Sequence, residues 1–176
     1  MQTSFIVTFI GDDRPGLVEK LSAVIEKNQG NWHESKLSQL GGKFAGLILV
    51  SLPQDGGPAL EADLATLAAS GISVRVTPMD ASAAPETTPP IAGRDITLTV
   101  LGPDRRGIVR EISAALAQRN INVLEMDTNV QSAPMSAEPI FDARIAAWIP
   151  EETNMDELQA SLDDIADNMT LEIDLA

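Results

Sequence analysis

Residues 4 to 10, "SFIVTFI", are apolar and β-branched with no charge, and they end at a glycine-bearing segment. A run of that length bounded by a turn signal predicts a buried strand. The period then changes: Leu17, Val18, Leu21, Val24 and Ile25 follow the spacing of one helical face, which predicts a helix stopped at Gln29-Gly30. "NWHESKLSQL" and "FAGLILVSL", on either side of Gly41-Gly42, predict the two strands of a hairpin. Leu60, Leu64, Leu67 and Ala68 predict a second helix, and "GISVRVTP" a closing strand.

The same succession recurs. "DITLTVL" at 95–101 is a strand candidate, and Ile108, Val109, Ile112, Ala115 and Leu116 repeat the helical face, which Asn120 ends. "NVLEMDTNVQ" and "IFDARIAAWI" supply a hairpin, Met155, Leu158, Leu162 and Ile165 a helix, and "TLEIDL" a last strand. Without a gap, Ser4–Lys36 aligns with Asp95–Asp127 at 10 identities in 33 positions, among them Gly11/Gly102, Asp13/Asp104, Arg14/Arg105, Gly16/Gly107 and Asn31/Asn122. This is an internal duplication. Between the copies, residues 80–93, "DASAAPETTPPIAG", hold three prolines and no periodic pattern, as a linker would. The order β-α-β-β-α-β in each copy predicts an α+β protein of two ferredoxin-like units, 1–79 and 94–176, each an antiparallel sheet with both helices on one face. Lone sheets leave strand edges unpaired, so edge-to-edge pairing of such units, within the chain or in a homo-oligomer, is expected.

Charge narrows the function classes. The 176 residues carry 12 Lys and Arg against 26 Asp and Glu, a formal net charge of −14. Such a field repels a phosphate backbone, so direct nucleic-acid binding is not expected. The excess is mostly C-terminal, with 6 basic and 9 acidic residues in 1–80 but 6 and 17 in 81–176. With no cysteine there is no disulfide framework and no thiolate metal site. No apolar run approaches the ~18 residues that a membrane span needs, and no signal sequence is visible, so the expected location is cytoplasmic.

The duplicated decapeptides "FIGDDRPGLV" and "VLGPDRRGIV" carry the candidate chemistry. Asp13 or Asp104 is expected to cap the incoming helix, with Pro15 in its first turn. Gly16 and Gly107 remove bulk where a carboxylate could approach free N–H groups at the positive end of the helix dipole. An amino acid also needs an acceptor for its ammonium group, for which Asn31 and Asn122, at the start of the next strand, are candidates. Arg14 and Arg105 read as surface ion-pair partners.

A strand ending in "GDDRPGLV", then a helix, then a strand opening on "GNW" resembles the ACT domain, a small regulatory module that binds amino acids. Two such units with little else resemble the glycine cleavage system transcriptional repressor family. The resemblance implies a non-catalytic regulator with no cofactor. It would sense a small amino acid, glycine in that family, and control transcription through contact with a DNA-binding regulator. Alternatives are an amino-acid sensor acting on a metabolic enzyme and an architectural tandem with no ligand. The implied ligand positions are Gly11, Asp12, Asp13, Arg14, Pro15, Gly16, Leu17 and Asn31 in the first copy. In the second they are Gly102, Asp104, Gly107, Ile108 and Asn122. There the pattern departs at Pro103 and Arg106, so the first loop is expected to be the better site and the second partly structural.

Other features read more plainly. His33 is the only histidine, and no G-x-S-x-G elbow accompanies it, so enzymatic chemistry ranks below binding. Gly41-Gly42 with Gly46 matches no phosphate loop. Asp156, Glu157, Asp163, Asp164 and Asp167 fall off the apolar face of the last helix and read as a solvated surface, or as a docking face for a basic partner. Residues 131–141, "QSAPMSAEPIF", form a long hairpin connection that could cover a ligand or be a plain insertion.

Overall fold

The structure, a computed structural model, describes residues 2–79, 92–133 and 137–176. Most of the expected linker (80–91) and part of the 131–141 connection (134–136) lie outside the described residues. The chain divides into two compact units, Met1–Thr87 and Thr88–Ala176. The first runs β1 (Gln2–Asp12), α1 (Leu17–Lys27), β2 (Asn31–Leu40), β3 (Lys43–Pro53), α2 (Gly57–Ala65) and β4 (Ser73–Pro78). The second runs β5 (Gly93–Pro103), α3 (Ile108–Ala117), β6 (Asn122–Ser132), β7 (Pro139–Pro150), α4 (Met155–Met169) and β8 (Glu172–Leu175). Each unit has one four-stranded sheet, in the orders β2-β3-β1-β4 and β6-β7-β5-β8. All neighbours pair antiparallel. These are two ferredoxin-like βαββαβ units.

Alternation along the central strands decides which face is covered, because successive strand side chains point to opposite sides. Phe5, Val7 and Phe9 of β1 and Ile48, Val50 and Leu52 of β3 are buried, and they share one core with Leu21 and Ile25 of α1 and Leu60 and Leu64 of α2. The second unit repeats this with Ile96, Leu98 and Val100 against Ile112, Leu116, Leu158 and Leu162. Both helices of each unit therefore cover one sheet face and leave the other without a helix.

Two details depart from the predicted apolar stripes. Val18 and Val109 are 40% and 43% exposed and stand beside the glycine loops rather than in the cores. Ala68 is exposed because α2 tightens after Ala65 into a 3₁₀ turn, Thr66–Ser70, closed by left-handed Gly71. Three residues per turn rotate position 68 off the face that 3.6 would have kept buried.

The helix stops are as expected. Gln29 and Asn120 adopt φ of 59° and 55°. The next N–H groups, of Gly30 and Ile121, reach back to the carbonyls of Ile25 at 2.9 Å and Leu116 at 3.1 Å. Such closures satisfy carbonyls that a helix end would leave open. Gly41 and Gly42, at φ 58° and 76°, make the two-residue turn between β2 and β3.

The aligned positions 28 and 119 tie the two helices of each unit by different chemistry. Asn28 donates to Asp63 at 2.9 Å and Lys27 pairs with the same carboxylate at 3.0 Å. These contacts, the Asn28 hydrogen bond foremost, hold Asp63 below the usual carboxylate range. Arg119 instead donates to the carbonyls of Ala115 at 2.9 Å and Glu157 at 3.0 Å, joining α3 to α4.

Candidate functional site

The two glycine loops have one backbone and different surroundings. Gly11 and Gly102 lie inside β1 and β5 rather than in the loops. A Cβ on Gly11 would stand 3.0 Å from Leu17 Cδ1, and one on Gly102 would stand 2.8 Å from Leu171 Cδ2 and from the Thr170 carbonyl. Packing of the strand end accounts for both glycines without a ligand.

The expected aspartate caps are not formed. The residues before α1 and α3 are Gly16 and Gly107, with φ/ψ of 88°/0° and 98°/−5°, and no side chain caps either helix. That left-handed backbone strongly favours glycine, although a Cβ would meet nothing within 4 Å at either place. Pro15 correspondingly sits before the helix and not in its first turn. The Leu17 N–H meets the Arg14 carbonyl at 3.4 Å, so Pro15 and Gly16 hold the two central positions of a type II turn, where Pro and Gly are preferred. The first intrahelical bonds run from Lys20 N–H to the Gly16 carbonyl and from Glu111 N–H to the Gly107 carbonyl, at 3.0 and 2.9 Å. The N–H groups ahead of them have no side-chain cap and form the positive ends of α1 and α3.

Asp12 closes β1 opposite Lys43, the first residue of β3. Its carboxylate pairs with Lys43 Nζ and, at 3.0 Å, with Arg14. Lys43 foremost, by hydrogen bond and charge, and Arg14 after it hold Asp12 below the usual carboxylate range. Asp12 is thus occupied by two cations and is a poor acceptor for a ligand ammonium group. Lys43 was not among the candidates, although a two-residue hairpin turn returns the chain to the end of β1 at that position. Asp13 and Asp104 are both exposed, and their backbone N–H groups are bonded to the carbonyls of Gly42 and Pro139.

An open cleft lies beside each helix N-terminus. The first, about 310 Å³, is bordered by Asp13, Arg14, Val18, Glu19 and Phe44. The second, about 510 Å³, is bordered by Asp104, Arg105, Val109, Arg110 and Phe141. The aligned positions 19 and 110 reverse the local charge. With Arg14 engaged by Asp12, the first cleft presents two carboxylates against one committed guanidinium. The second presents two guanidinium groups against one carboxylate, and Arg105 has a long contact with Thr170 at 3.4 Å. A smaller cleft of about 90 Å³ lies between Asp12, Lys20 and Ser70.

Asn31 and Asn122 do not join these loops. Asn31 pairs with Ser51 and Asn122 with Trp148, whereas the loops leave the sheets opposite Lys43 and Ile140. Eight residues along β3 or β7 separate the two levels, about 26 Å at ~3.3 Å per residue. Each asparagine lies at the opposite end of its own sheet from the loop. Next to Asn31, His33 occupies a bulge in β2 and brings its Nε2 within 2.8 Å of the Ser51 hydroxyl. Among the described residues no cluster of three or more His, Asp or Glu could hold a metal ion.

Residues 3–77 match the family model of the ACT domain. The first unit is an ACT domain. The second unit repeats its element order and its sheet order, so the chain is a tandem of two ferredoxin-like units, the first of them an ACT domain. Over 99% of its length the chain is similar to a protein of unknown role from Galdieria sulphuraria, at 28% identity, 98% coverage of that chain and a TM-score of 0.85. It also resembles in fold a chain solved as a "putative glycine cleavage system transcriptional repressor", at 20% identity and a TM-score of 0.71, covering 100% of this chain and 97% of that one. No curated protein matches the sequence. No helix among the described residues is long and apolar enough to cross a membrane.

Proposed function

We propose that this tandem ACT chain is a cytoplasmic, non-catalytic regulator that senses a small amino acid and acts through contact with another protein. The observation that carries the reading is the cleft beside Gly107. An uncapped helix N-terminus, Arg105 and Arg110 suit an α-carboxylate, and Asp104 suits an α-ammonium group. Val109 and Phe141 add an apolar wall.

This site inverts the expected ranking of the loops. In the first unit Glu19 opposes a carboxylate and Arg14 is drawn to Asp12, so the first loop is the weaker site. Charge supports an indirect effect on transcription, since a protein of formal net charge −14 is repelled by DNA. Glycine as the effector, and a DNA-binding regulator as the partner, rest on the likeness to the repressor chain.

Titration calorimetry against a panel of free amino acids tests the reading. Binding of one small amino acid that is weakened about tenfold or more by Arg110→Glu, a loss of ~1.4 kcal/mol, supports it. Absence of binding by every amino acid at millimolar concentration overturns it.

A further inference from the structure

The sheet faces that carry no helix differ sharply between the units. In the first, the outward residues at the middle of β1 and β3 are mostly apolar: Ile6 and Ile10 stand opposite Leu49 and Ala45, and Leu47 lies between the last two along β3. Ile10 and Leu47 are 49% and 51% exposed. Among the described residues five charges share this face: Glu34 opposite Leu49, Lys36 opposite Leu47, Arg75 opposite Thr8, and the Asp12–Lys43 ion pair at its end. The aligned face of the second unit carries Asp95, Glu125, Asp127, Asp142, Glu172 and Asp174 against Arg144. One architecture thus presents a near-neutral apolar face in one copy and a carboxylate-rich face in the other.

An apolar sheet face in water is an interaction surface. We propose that the helix-free face of the first unit packs on the same face of a second copy of this chain, sheet on sheet. Charge decides the occupant. Apart from the Asp12–Lys43 pair, packing it on a second copy's acidic face would desolvate seven carboxylates, those six and Glu34, against three basic side chains, Lys36, Arg75 and Arg144, at a cost that such pairing does not recover. Two copies that each carry −14 approach most readily through the face poorest in carboxylates. The face is also self-complementary. Glu34 and Lys36 alternate along β2, as Leu49 and Leu47 do along β3. A two-fold axis across the strands between those levels sets Glu34 against Lys36 of the second copy and Leu47 against its Leu49, each twice. Aligned sheets packed ~10 Å apart bring such pairs into contact. Edge pairing is the weaker route, because the long edge strands β2 and β6 each carry a bulge, next to Glu34 in β2 and to Glu125 in β6. The contact is independent of the ligand cleft.

The chain has no cysteine, which permits a direct test. Thr8 lies beside the proposed axis, and its aligned counterpart Thr99 lies on the acidic face. Treated with a short bis-maleimide cross-linker, the full chain carrying Thr8→Cys is expected to form a covalent dimer in high yield, and the one carrying Thr99→Cys is not. By sedimentation, the unmodified chain is expected to be dimeric. A chain with Ile10→Glu and Leu47→Glu, both half-exposed, is expected to be monomeric with its circular dichroism unchanged. A monomeric unmodified chain overturns the proposal. So does equal or preferential cross-linking through Thr99→Cys, and so does a dimer that survives the double substitution.

Discussion

Gly16 and Gly107 share a backbone conformation to within about 10° in φ and 5° in ψ, yet their loops border clefts of opposite charge. Identity at Gly, Asp, Arg and Gly maintains the strand-to-helix turn. Divergence at the neighbouring positions 12/103, 15/106 and 19/110 sets what the turn can hold. The conformationally demanding residues of this repeated motif therefore report on folding, and the variable ones beside them set the charge of the clefts. The uncovered sheet faces follow the same rule, since Thr8 and Thr99 are identical while the residues around them change from apolar to acidic.

Four experiments break or sharpen this comparison, from the largest expected effect down. Leu21→Ala and Ile112→Ala truncate aligned buried positions. Each is expected to cost about 2–5 kcal/mol and, in denaturant unfolding followed by residue-resolved NMR, to destabilise its own unit first. Loss of both units together from either change would contradict separate cores. Gly16→Ala and Gly107→Ala impose a side chain on left-handed backbone. Both are expected to lower stability by about 1–3 kcal/mol in thermal melts, and unequal losses would mean that the two turns are not equivalent.

The second helices offer an asymmetry. Asn154 accepts the N–H groups of Asp156 and Glu157 at the start of α4, whereas Gly56 before α2 offers no side chain. Asn154→Ala is expected to cost ~1 kcal/mol, measured by denaturant midpoint, and Gly56→Ala much less. The smallest effect concerns Asp63. Its folded pKa lies below the ordinary 3.8, so its contribution is complete above that value and is lost as pH falls through the lowered one. Asp63→Asn is expected to flatten the acid limb of the first unit's stability curve, and an unchanged limb would remove Asp63 from that role.

Much of the fold was legible because the change from period 2 to period 3.6 and back is strong here and occurs twice. The strand-helix-hairpin order, the stops at Gln29-Gly30 and Asn120 and the Gly41-Gly42 turn all follow from local chemistry that the tertiary structure does not override. The sites were less legible for physical reasons. Asp13 and Asp104 look like caps because aspartate is a good one, but glycine takes the capping position through its backbone. Asn31 and Asn122 look close to the loops in sequence. Yet α1 and α3 carry the chain back down the unit before β2 and β6 begin, which puts each asparagine at the far end of its sheet. Phe44 and Phe141 reach the clefts only through the register that sets them opposite Gly11 and Gly102. The importance of positions 19 and 110 emerges only once the clefts are seen, because an exposed charge in a helix's first turn carries no signal of its own.

The claim that the second loop is the stronger site is tested most directly by exchanging the residues that differ. Calorimetric titration of the amino acid that binds the unmodified chain, repeated on Glu19→Arg, Arg110→Glu and the double exchange, is the decisive measurement. The expected result is one dominant site, weakened about tenfold or more by Arg110→Glu, with a gain of affinity in the first unit from Glu19→Arg. Affinity that is indifferent to Arg110 and lost on Glu19→Arg would place the ligand at the first loop and contradict the account.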